Sequence, residues 1–418
     1  MKKRTRIIAA GVFVLAAAVL AWSLKPAHDS EGNNPDGDAG SIESIAEGED
    51  AQNQTDKDDQ AYELKMIEMD EQEKEETIKK LFSFMESCEN IYKSTLDKGE
   101  TDEDALHEMI EIGASRGLSV SCGNRDYNLT NYEQVDAALR DALAGKEAEA
   151  QIYQVNTVGV FRYYHLVFEK NELSVTSASA VFTEEMKPAL SQLEKILAYQ
   201  WEYTPKGWLI WEKALSRNQE MDMHIFCRVL PLDGQCREIT EEYIVPVSYF
   251  CNNLFLVDWD MSCMEKIEFN DLFEFLYARE YGKRLENGAY GDGIPKEEFE
   301  AVIGQYFDIT VDEIEEYARY DSAKGSYPWS AIGIRNRVQQ LQPSFPEVVR
   351  CTENGDGTVT AYVEAISTEE GMDCYYAHEV TLLRREDGRC VYVGNRVDRE
   401  RSYCIPAYRA RREFEGTE

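Results

Sequence analysis

The chain has 418 residues and a formal net charge of −35 at pH 7. This excess of negative charge repels a phosphate backbone, which argues against nucleic acid as a partner. The length is enough for two domains of ordinary size. Ten cysteines permit disulfides in an exported protein, but no pair of them has the CxxC spacing that is typical of a zinc site.

The first 25 residues have the composition of a signal anchor or a signal peptide. Four basic residues, Lys2, Lys3, Arg4 and Arg6, precede the segment from Ile7 to Leu24, which carries no charge. Positive charge before an apolar helix keeps that end in the cytoplasm. A bilayer span needs about 20 residues and a cleaved signal about 7 to 15, so the segment lies between the two classes. We expect a single-pass cell-membrane protein with its C-terminal part outside the cytoplasm, and secretion after cleavage stays open.

Residues 26–62 form an acidic linker. From Asp29 to Gln60 there are eleven Asp and Glu residues against one basic residue, Lys57, and no aromatic residue. Such a segment cannot bury enough apolar surface to offset the entropy of ordering, so we predict that it is disordered. Because like charges extend a flexible chain, the linker is expected to hold the folded part away from the membrane.

Residues 63–220 are predicted to form a first α+β module. Apolar residues recur at helical spacing from Ile78 to Tyr92, and shorter helices are predicted up to Ile112 and after Asn131. From residue 148 onwards the apolar period changes to two, which indicates antiparallel strands. The predicted strands are 149–156, 158–168, 173–182, 195–204 and 207–214.

Residues 221–400 repeat this order and are predicted to form a second module. Helices are expected at 267–280, 295–307 and 310–318, and strands at 345–352, 357–366, 374–385 and 389–397. The fold class is therefore α+β, with two antiparallel sheets that are each backed by helices. This arrangement resembles the cone-shaped fold of the nuclear transport factor 2 superfamily, which would imply a pocket between the helices and the sheet.

Several consecutive blocks of the sequence resemble an uncharacterised family of exported, membrane-anchored proteins from gut anaerobic Firmicutes. The similarity covers roughly residues 150–397 and implies a bacterial, surface-located protein without assigning an activity. The blocks that carry it are WEYTPKGWL (201–209), REITEEYIVPVSY (237–249), NNLFLVDW (252–259), IPKEEFEAVIGQYF (294–307), FPEVV (345–349) and TENGDGTVT (352–360).

Two carboxylates are the candidate catalytic residues. Asp258 and Asp260 flank Trp259, and side chains two apart in a strand share one face. They could form a paired-carboxylate site beside an aromatic platform, as in enzymes that cleave sugars. The competing interpretation is an Asp-rich strand end or helix cap.

Aromatic residues on the predicted sheet of the first module are the candidate ligand-binding residues. Tyr163, Trp201 and Trp208 are expected either to fill the core or to line a pocket. No nucleotide-binding glycine motif is present, and the five histidines lack the spacing of metal ligands, so we predict neither a cofactor nor a metal.

The cysteines and arginines of the second module leave alternatives open. Cys227 with Cys236, and Cys390 with Cys404, are equally compatible with disulfides and with thiols. Nine arginines between Arg384 and Arg412, including those of an Arg-rich tail at 401–418, could dock an anionic polymer or lipid headgroups, or could pair with the acidic residues of the chain itself.

These features predict an extracytoplasmic, membrane-tethered binding or scaffold protein in a bacterial envelope. Its partner would be an envelope protein, a small ligand or an anionic polymer. The alternative is a hydrolase that acts on extracellular glycan or on a cell-wall polymer, with Asp258 and Asp260 as its carboxylates.

Overall fold

The structure, a computed structural model, shows an α+β protein with seven α-helices in the residues that it describes. These residues are 64–95, 103–122, 129–213, 224–285, 290–291, 293–332 and 345–412. The predicted membrane segment Ile7 to Leu24 and most of the 26–62 linker lie outside these ranges. Within them, no helix has both the length and the apolar character that crossing a membrane requires.

Sheet A forms the centre of the first unit. Its six strands, in spatial order, are β1 (Lys65–Met66), β6 (Pro188–Leu197), β5 (Glu172–Phe182), β4 (Phe161–Glu169), β3 (Ala148–Val155) and β2 (Val120–Cys122). All neighbours are antiparallel except β2 and β3, which are parallel. A tight turn at Lys170 and Asn171 connects β4 to β5, and both residues have the positive φ that such a hairpin requires.

The two faces of sheet A are covered by different elements. Helices α1 (Glu71–Thr95) and α2 (Glu103–Ser115) pack on one face, where Phe84 contacts Tyr153 and Phe161. Helix α3 (Tyr132–Leu143) packs on the other face, together with sheet B. The three strands of sheet B are β7 (Gln200–Tyr203), β8 (Trp208–Glu212) and β9 (His224–Arg228).

Sheet C is the centre of the second unit. Its five antiparallel strands, in spatial order, are β10 (Trp259–Asp260), β16 (Cys390–Val397), β15 (Met372–Arg384), β14 (Thr358–Ser367) and β13 (Phe345–Glu353). A tight hairpin turn joins β13 and β14: Asp356 accepts a hydrogen bond from the backbone of Thr358 (3.0 Å), and Gly357 has φ +87°.

Four α-helices and a small two-stranded antiparallel sheet also belong to the second unit. They are α4 (Gly234–Ile239), α5 (Phe269–Tyr281), α6 (Lys296–Tyr306), α7 (Val311–Tyr317) and the strands β11 (Gly293–Pro295) and β12 (Ser326–Pro328). The helices pack on one side of sheet C, in a core that includes Phe273 and Phe299 from the helices and Val363 and Val380 from the sheet. We call this side the inner face of sheet C and the opposite side its outer face.

The boundary between the units lies further along the chain than the sequence predicted. Strand β9 pairs with β8 and thereby belongs to sheet B, so the first unit continues to Arg228, beyond the predicted boundary at 220. The predicted strand 195–204 is two strands in different sheets, β6 and β7. The chain leaves sheet A after Leu197 and enters sheet B at Gln200.

The segment that was predicted as an Arg-rich tail packs on α5 up to residue 412, where the described part ends. Arg411 is buried, and its Nε atom lies 3.0 Å from Asp271 Oδ1 and its Nη1 atom 2.8 Å from Glu274 Oε2. Tyr408 donates a hydrogen bond to Asp271 (2.5 Å). This part of the chain is therefore an integral element of the second unit.

Candidate functional site

A cleft of about 590 Å³ opens beside strand β10, at one edge of sheet C. Asp258, Asp260 and Lys266 form one wall. Thr381 and Gly394 contribute to the lining from β15 and β16, as do the charged residues Glu379 and Arg396. Both sequence-predicted carboxylates therefore lie at the cleft, together with two cationic residues, Lys266 and Arg396.

Trp259 determines how the β10 segment is placed. Its side chain is buried, its indole nitrogen donates to the carbonyl of Leu254 (2.8 Å), and its ring lies 5.9 Å from that of Phe307. Because neighbouring residues of a strand point to opposite sides, Asp258 and Asp260 face away from this core. The predicted aromatic platform is thus corrected: Trp259 anchors the segment from inside and presents no ring to a ligand.

Asp258 is held by groups of strand β16 and the residues after it. Its Oδ1 atom accepts from the backbone N–H of Val397 (2.7 Å), and its Oδ2 atom lies 2.7 Å from Arg399 Nη1. Burial by itself would raise the pKa of Asp258, but the hydrogen bond from Val397 and the guanidinium of Arg399 outweigh it and lower this pKa. Asp258 is consequently ionised at neutral pH.

Asp260 is held by the turn that follows β10. Its Oδ1 atom accepts from the hydroxyl of Ser262 (2.6 Å) and from the backbone N–H of the same residue (2.8 Å). These hydrogen bonds lower the pKa of Asp260. A glycosidase pair needs one carboxyl group whose pKa is raised so that it can serve as a general acid. Since both pKa values are lowered, the arrangement favours electrostatic binding over acid catalysis.

The cleft also contains cations with hydrogen-bonding capacity to spare. Lys266 Nζ donates to the carbonyl of Asp258 (3.2 Å), which leaves the other ammonium protons for a ligand. Arg396 is exposed, and only its Nη2 atom approaches Glu379, at 3.4 Å. An ammonium has three donors and a guanidinium has five, so both groups can bind a carboxylate.

A row of polar side chains continues from the cleft across the outer face of sheet C. Strand pairing places Arg350 opposite Tyr362, Tyr362 opposite Glu379, and Glu379 opposite Arg396. The Arg350 guanidinium lies over the Tyr362 ring at 4.8 Å, and the Tyr362 hydroxyl donates to Asp398 (2.6 Å). Because adjacent strands are about 4.8 Å apart, the row offers contacts over roughly 15 Å.

A second row of small hydroxyl residues runs beside the first. Thr352 pairs with Thr360, Thr360 with Thr381, and Thr381 with Gly394, so that this row also ends at the cleft. These residues are exposed or half-buried except for Gly394. The two rows together form a shallow polar shelf that is continuous with the cleft.

The opposite end of the same outer face is covered by sheet B. Glu347 and Glu364 face each other across β13 and β14, and both are buried. Arg228 forms an ion pair with Glu347, and the indole nitrogen of Trp208 donates to the same carboxylate (3.2 Å). Lys206 Nζ lies 3.0 Å from Glu364 Oε2.

This covered end is charge-compensated within the chain. Lys206 also approaches Glu347 (3.5 Å), and Arg401 Nε lies 3.0 Å from Glu364 Oε1. Burial would raise the pKa of Glu364, but Lys206 and Arg401 together lower it. Three cations therefore surround the two opposed carboxylates, and the network joins the two units.

The three aromatic candidates do not meet at one pocket. Tyr163 is buried under α1, where Lys80 Nζ donates to its hydroxyl (3.4 Å). Trp201 is half-buried on the opposite side of sheet A, against Phe168 (4.8 Å). Trp208 lies at the covered end. Each of the three residues is therefore a packing residue of a different interface.

Most of the predicted arginine cluster pairs with acidic residues of the same chain. Six of the nine arginines have a carboxylate partner within 3.4 Å: Arg384, Arg389, Arg396, Arg399, Arg401 and Arg411. Arg385 donates to the carbonyls of Gly304 and Phe307 near the end of α6. The cluster therefore contributes mainly to the fold of the second unit, and Arg396 adds to the cleft.

His378 belongs to a buried hydrogen-bond chain under the open part of sheet C. Its Nδ1 atom lies 2.8 Å from Asn395 Oδ1 and its Nε2 atom 2.9 Å from the Tyr249 hydroxyl. Burial lowers the pKa of His378 to about 3, so the ring is neutral. His378 is thus a hydrogen-bonded residue inside the sheet. Among the residues that the structure describes, no cluster of three or more potential metal ligands occurs.

Lys266 and Glu379 were not among the sequence candidates, and Arg396 was named only as one of nine arginines. Glu379 and Thr381 alternate with the buried residues His378 and Val380, a period of two that marks an outer face but does not say which outer residues meet a cleft. Only the pairing of β10 with β16 brings Lys266 to the same place.

A family model described as "Family of unknown function (DUF6070)" matches residues 73–411. The match includes both units and extends to Arg411, which agrees with the integral position of that residue in the fold. The expectation of an uncharacterised family is confirmed in this respect. No curated protein and no solved structure matches the chain. Because the matched region makes up most of the sequence, the protein belongs to this family of unknown function.

Proposed function

We propose that the protein is an extracytoplasmic, membrane-tethered binding protein, and that its ligand binds in the cleft beside β10 and along the polar shelf of sheet C. The observation that carries the proposal is the cleft itself, in which Lys266 and Arg396 have unused donors and Asp260 and Glu379 have acceptor oxygens. The basic N-terminal cluster, the apolar segment Ile7 to Leu24 and the acidic linker support export and tethering.

The lining favours an elongated ligand that carries both carboxylate and amino groups. The two cations can bind carboxylates, and the Asp260 and Glu379 carboxylates can accept from ammonium or hydroxyl groups. The threonine row and the row through Tyr362 extend away from the cleft, so that successive units of a short polar chain would meet successive strands. A peptide, or a wall polymer that bears peptide stems, has this chemistry.

Binding accounts for the geometry better than hydrolysis does. The pKa values of Asp258 and Asp260 are both lowered. Asp258 is fixed by Val397 of strand β16 and by Arg399, and Asp260 is fixed by Ser262 of its own turn. A hydrolase would need one of them protonated near neutral pH, and no neighbouring group raises the pKa of either.

Native mass spectrometry of the full chain, extracted from membranes in mild detergent, tests this proposal. We expect a noncovalent adduct that is present in the wild type and lost in the double variant Lys266→Ala/Arg396→Ala. Arg389→Ala is the matched control, because Arg389 is an exposed arginine of the same unit whose partner is Asp387 (3.1 Å).

The outcomes separate the competing interpretations. An adduct that survives in the double variant would place the ligand elsewhere. A preparation without any adduct, whose cleft also fails to bind a library of short peptides, would overturn the binding role. Release of a cleaved product that depends on Asp258 or Asp260 would instead support the hydrolase.

A further inference from the structure

Two cysteines of the second unit, far apart in sequence, lie in direct contact. Cys236 is in helix α4 and Cys351 is in strand β13, and their sulfur atoms are 3.1 Å apart. A disulfide bond has a length of about 2.05 Å, so bond formation requires the sulfurs to approach by only about 1 Å. Neither pair that the sequence suggested, Cys227 with Cys236 or Cys390 with Cys404, is bonded.

The backbone on both sides of this contact is already fixed by hydrogen bonds. The Asp233 carboxylate caps α4 by accepting from the N–H groups of Gln235 (2.9 Å) and Cys236 (3.3 Å). Gln235 also donates to Glu353 (2.6 Å), two residues beyond Cys351. Helix and strand are thus held against each other whether or not the sulfurs are bonded, so a bond requires no rearrangement.

The pair is reachable from one side only. Cys236 is buried, whereas Cys351 is half-buried, so an oxidant meets the sulfur of Cys351 first. Burial raises the pKa of both thiols. Since the thiolate is the reactive form, oxidation is slow at neutral pH and faster in mild alkali.

We propose that Cys236 and Cys351 are a disulfide-forming pair that joins α4 to β13 when the protein meets a disulfide oxidant. The thiolate of Cys351 attacks the oxidant disulfide and releases one thiol. The thiolate of Cys236 then attacks the Cys351 sulfur of the mixed disulfide and releases the second thiol. In total the two cysteines lose two protons and two electrons, and the oxidant disulfide becomes two thiols. The proposal is independent of the ligand site.

The test uses the reduced full chain in mild detergent, incubated with oxidised glutathione at about pH 8.5 and then alkylated under denaturing conditions. We expect eight of the ten cysteines to be alkylated. Peptide mapping without reductant should join the peptides that contain Cys236 and Cys351. The midpoint of thermal unfolding should rise by on the order of 10 °C and return after reduction, because the bond closes a loop of more than 100 residues.

Three variants control for nonspecific oxidation. Cys236→Ser and Cys351→Ser should each be alkylated at all of their nine cysteines, and Cys236→Ala replaces Cys236→Ser if the buried hydroxyl prevents folding. Cys390→Ser should keep the cross-link. Alkylation of all ten cysteines in the wild type after equilibration, or a cross-link that maps to another pair, would overturn the proposal. Because oxidation is carried out in vitro, failure of the export or ligand proposal leaves this result unaffected.

Discussion

The two ends of the outer face of sheet C differ in what neutralises their charges. At the covered end, Glu347 and Glu364 are buried beneath sheet B and share three cations supplied by other parts of the chain. At the open end, Glu379 has one weak partner, Arg396, at 3.4 Å, and Lys266 bonds only to a carbonyl. Charged residues of the same sheet therefore join the two units at the covered end, whereas at the open end they remain available to a ligand.

This difference shows why charge alone does not identify a site. At the covered end, Glu347 and Glu364 each contact two cations, so these charged groups are paired within the protein. A buried charge must be paired, because water cannot solvate it. An exposed charge is solvated by water and is stable with a weak partner, which a ligand can replace. Unused hydrogen-bonding capacity, rather than charge density, separates the candidate site from the interface.

The largest effect is expected at the covered end. Glu347→Ala should lower the free energy of unfolding by about 3 to 5 kcal/mol, because Arg228 would then remain buried without its partner. Denaturation by urea, followed by tryptophan fluorescence, measures this loss. The double variant Arg228→Met/Glu347→Leu should recover most of it. A loss below about 1 kcal/mol in the single variant would mean that the buried pair does not hold the units together.

An acid-dependent effect of intermediate size is expected beneath the open end. The pKa of His378 is about 3 in the folded protein and about 6.5 when unfolded, so the unfolded state binds the extra proton between these values. The contribution of His378 to the free energy of unfolding is therefore complete above pH 6.5, and it is lost as the pH falls below that value. At pH 5 the loss is about 2 kcal/mol.

His378→Gln provides the comparison for this acid effect. The variant should be less stable than the wild type at pH 7.5, because the bonds to Tyr249 and Asn395 are disturbed. It should nevertheless lose about 2 kcal/mol less than the wild type between pH 7.5 and pH 5. Equal losses in the two proteins would show that the folded protein admits a proton at His378.

A smaller effect, on binding alone, is expected in the cleft. Lys266→Ala should weaken the affinity for the ligand or a peptide surrogate by roughly tenfold, or about 1.4 kcal/mol, because one charge-assisted hydrogen bond is lost. Titration calorimetry measures the change, and the unfolding midpoint should stay the same since Lys266 is exposed. Lys187→Ala, on the first unit, should leave the affinity unchanged.

The smallest effect on stability is expected for Glu379→Gln. Its contact with Arg396 is long and exposed, so the free energy of unfolding should change by at most about 0.5 kcal/mol. Urea denaturation of Glu379→Gln and Glu347→Ala under the same conditions compares the loss of unfolding free energy at the open and the covered end of the outer face. A large loss at Glu379 would remove the distinction between the open and the covered end.

Much of the fold follows from local sequence patterns. The α1 stripe and the alternation in β3 to β5 and β13 to β16 predict these elements to within a few residues. The predicted helix 310–318 begins with a capping box between Thr310 and Glu313. Strand β10 has two residues, which is too short for a period to appear, and β9 follows residues 214–223, which the structure does not describe.

The candidate site was only partly predictable. Alternation correctly placed Asp258 and Asp260 on one side of Trp259, but only the tertiary structure shows that Trp259 is the buried partner. The arginines pair with carboxylates at separations from 2 to 141 residues, and Cys236 contacts Cys351 across 115 positions. Local sequence patterns do not predict such pairings, because the pairings depend on the spatial order of β10, β13 and β16 in one sheet.

The position of Arg411 constrains how the protein can be synthesised. Two carboxylates of helix α5, those of Asp271 and Glu274, bind the guanidinium of Arg411. Arg411 lies 140 residues after Asp271 in the chain. Until the ribosome has translated Arg411, Asp271 and Glu274 lack the guanidinium that contacts them in the folded second unit. Removing one partner of a buried ion pair is strongly destabilising, so we expect a chain that stops before residue 411 to be less stable than the full chain.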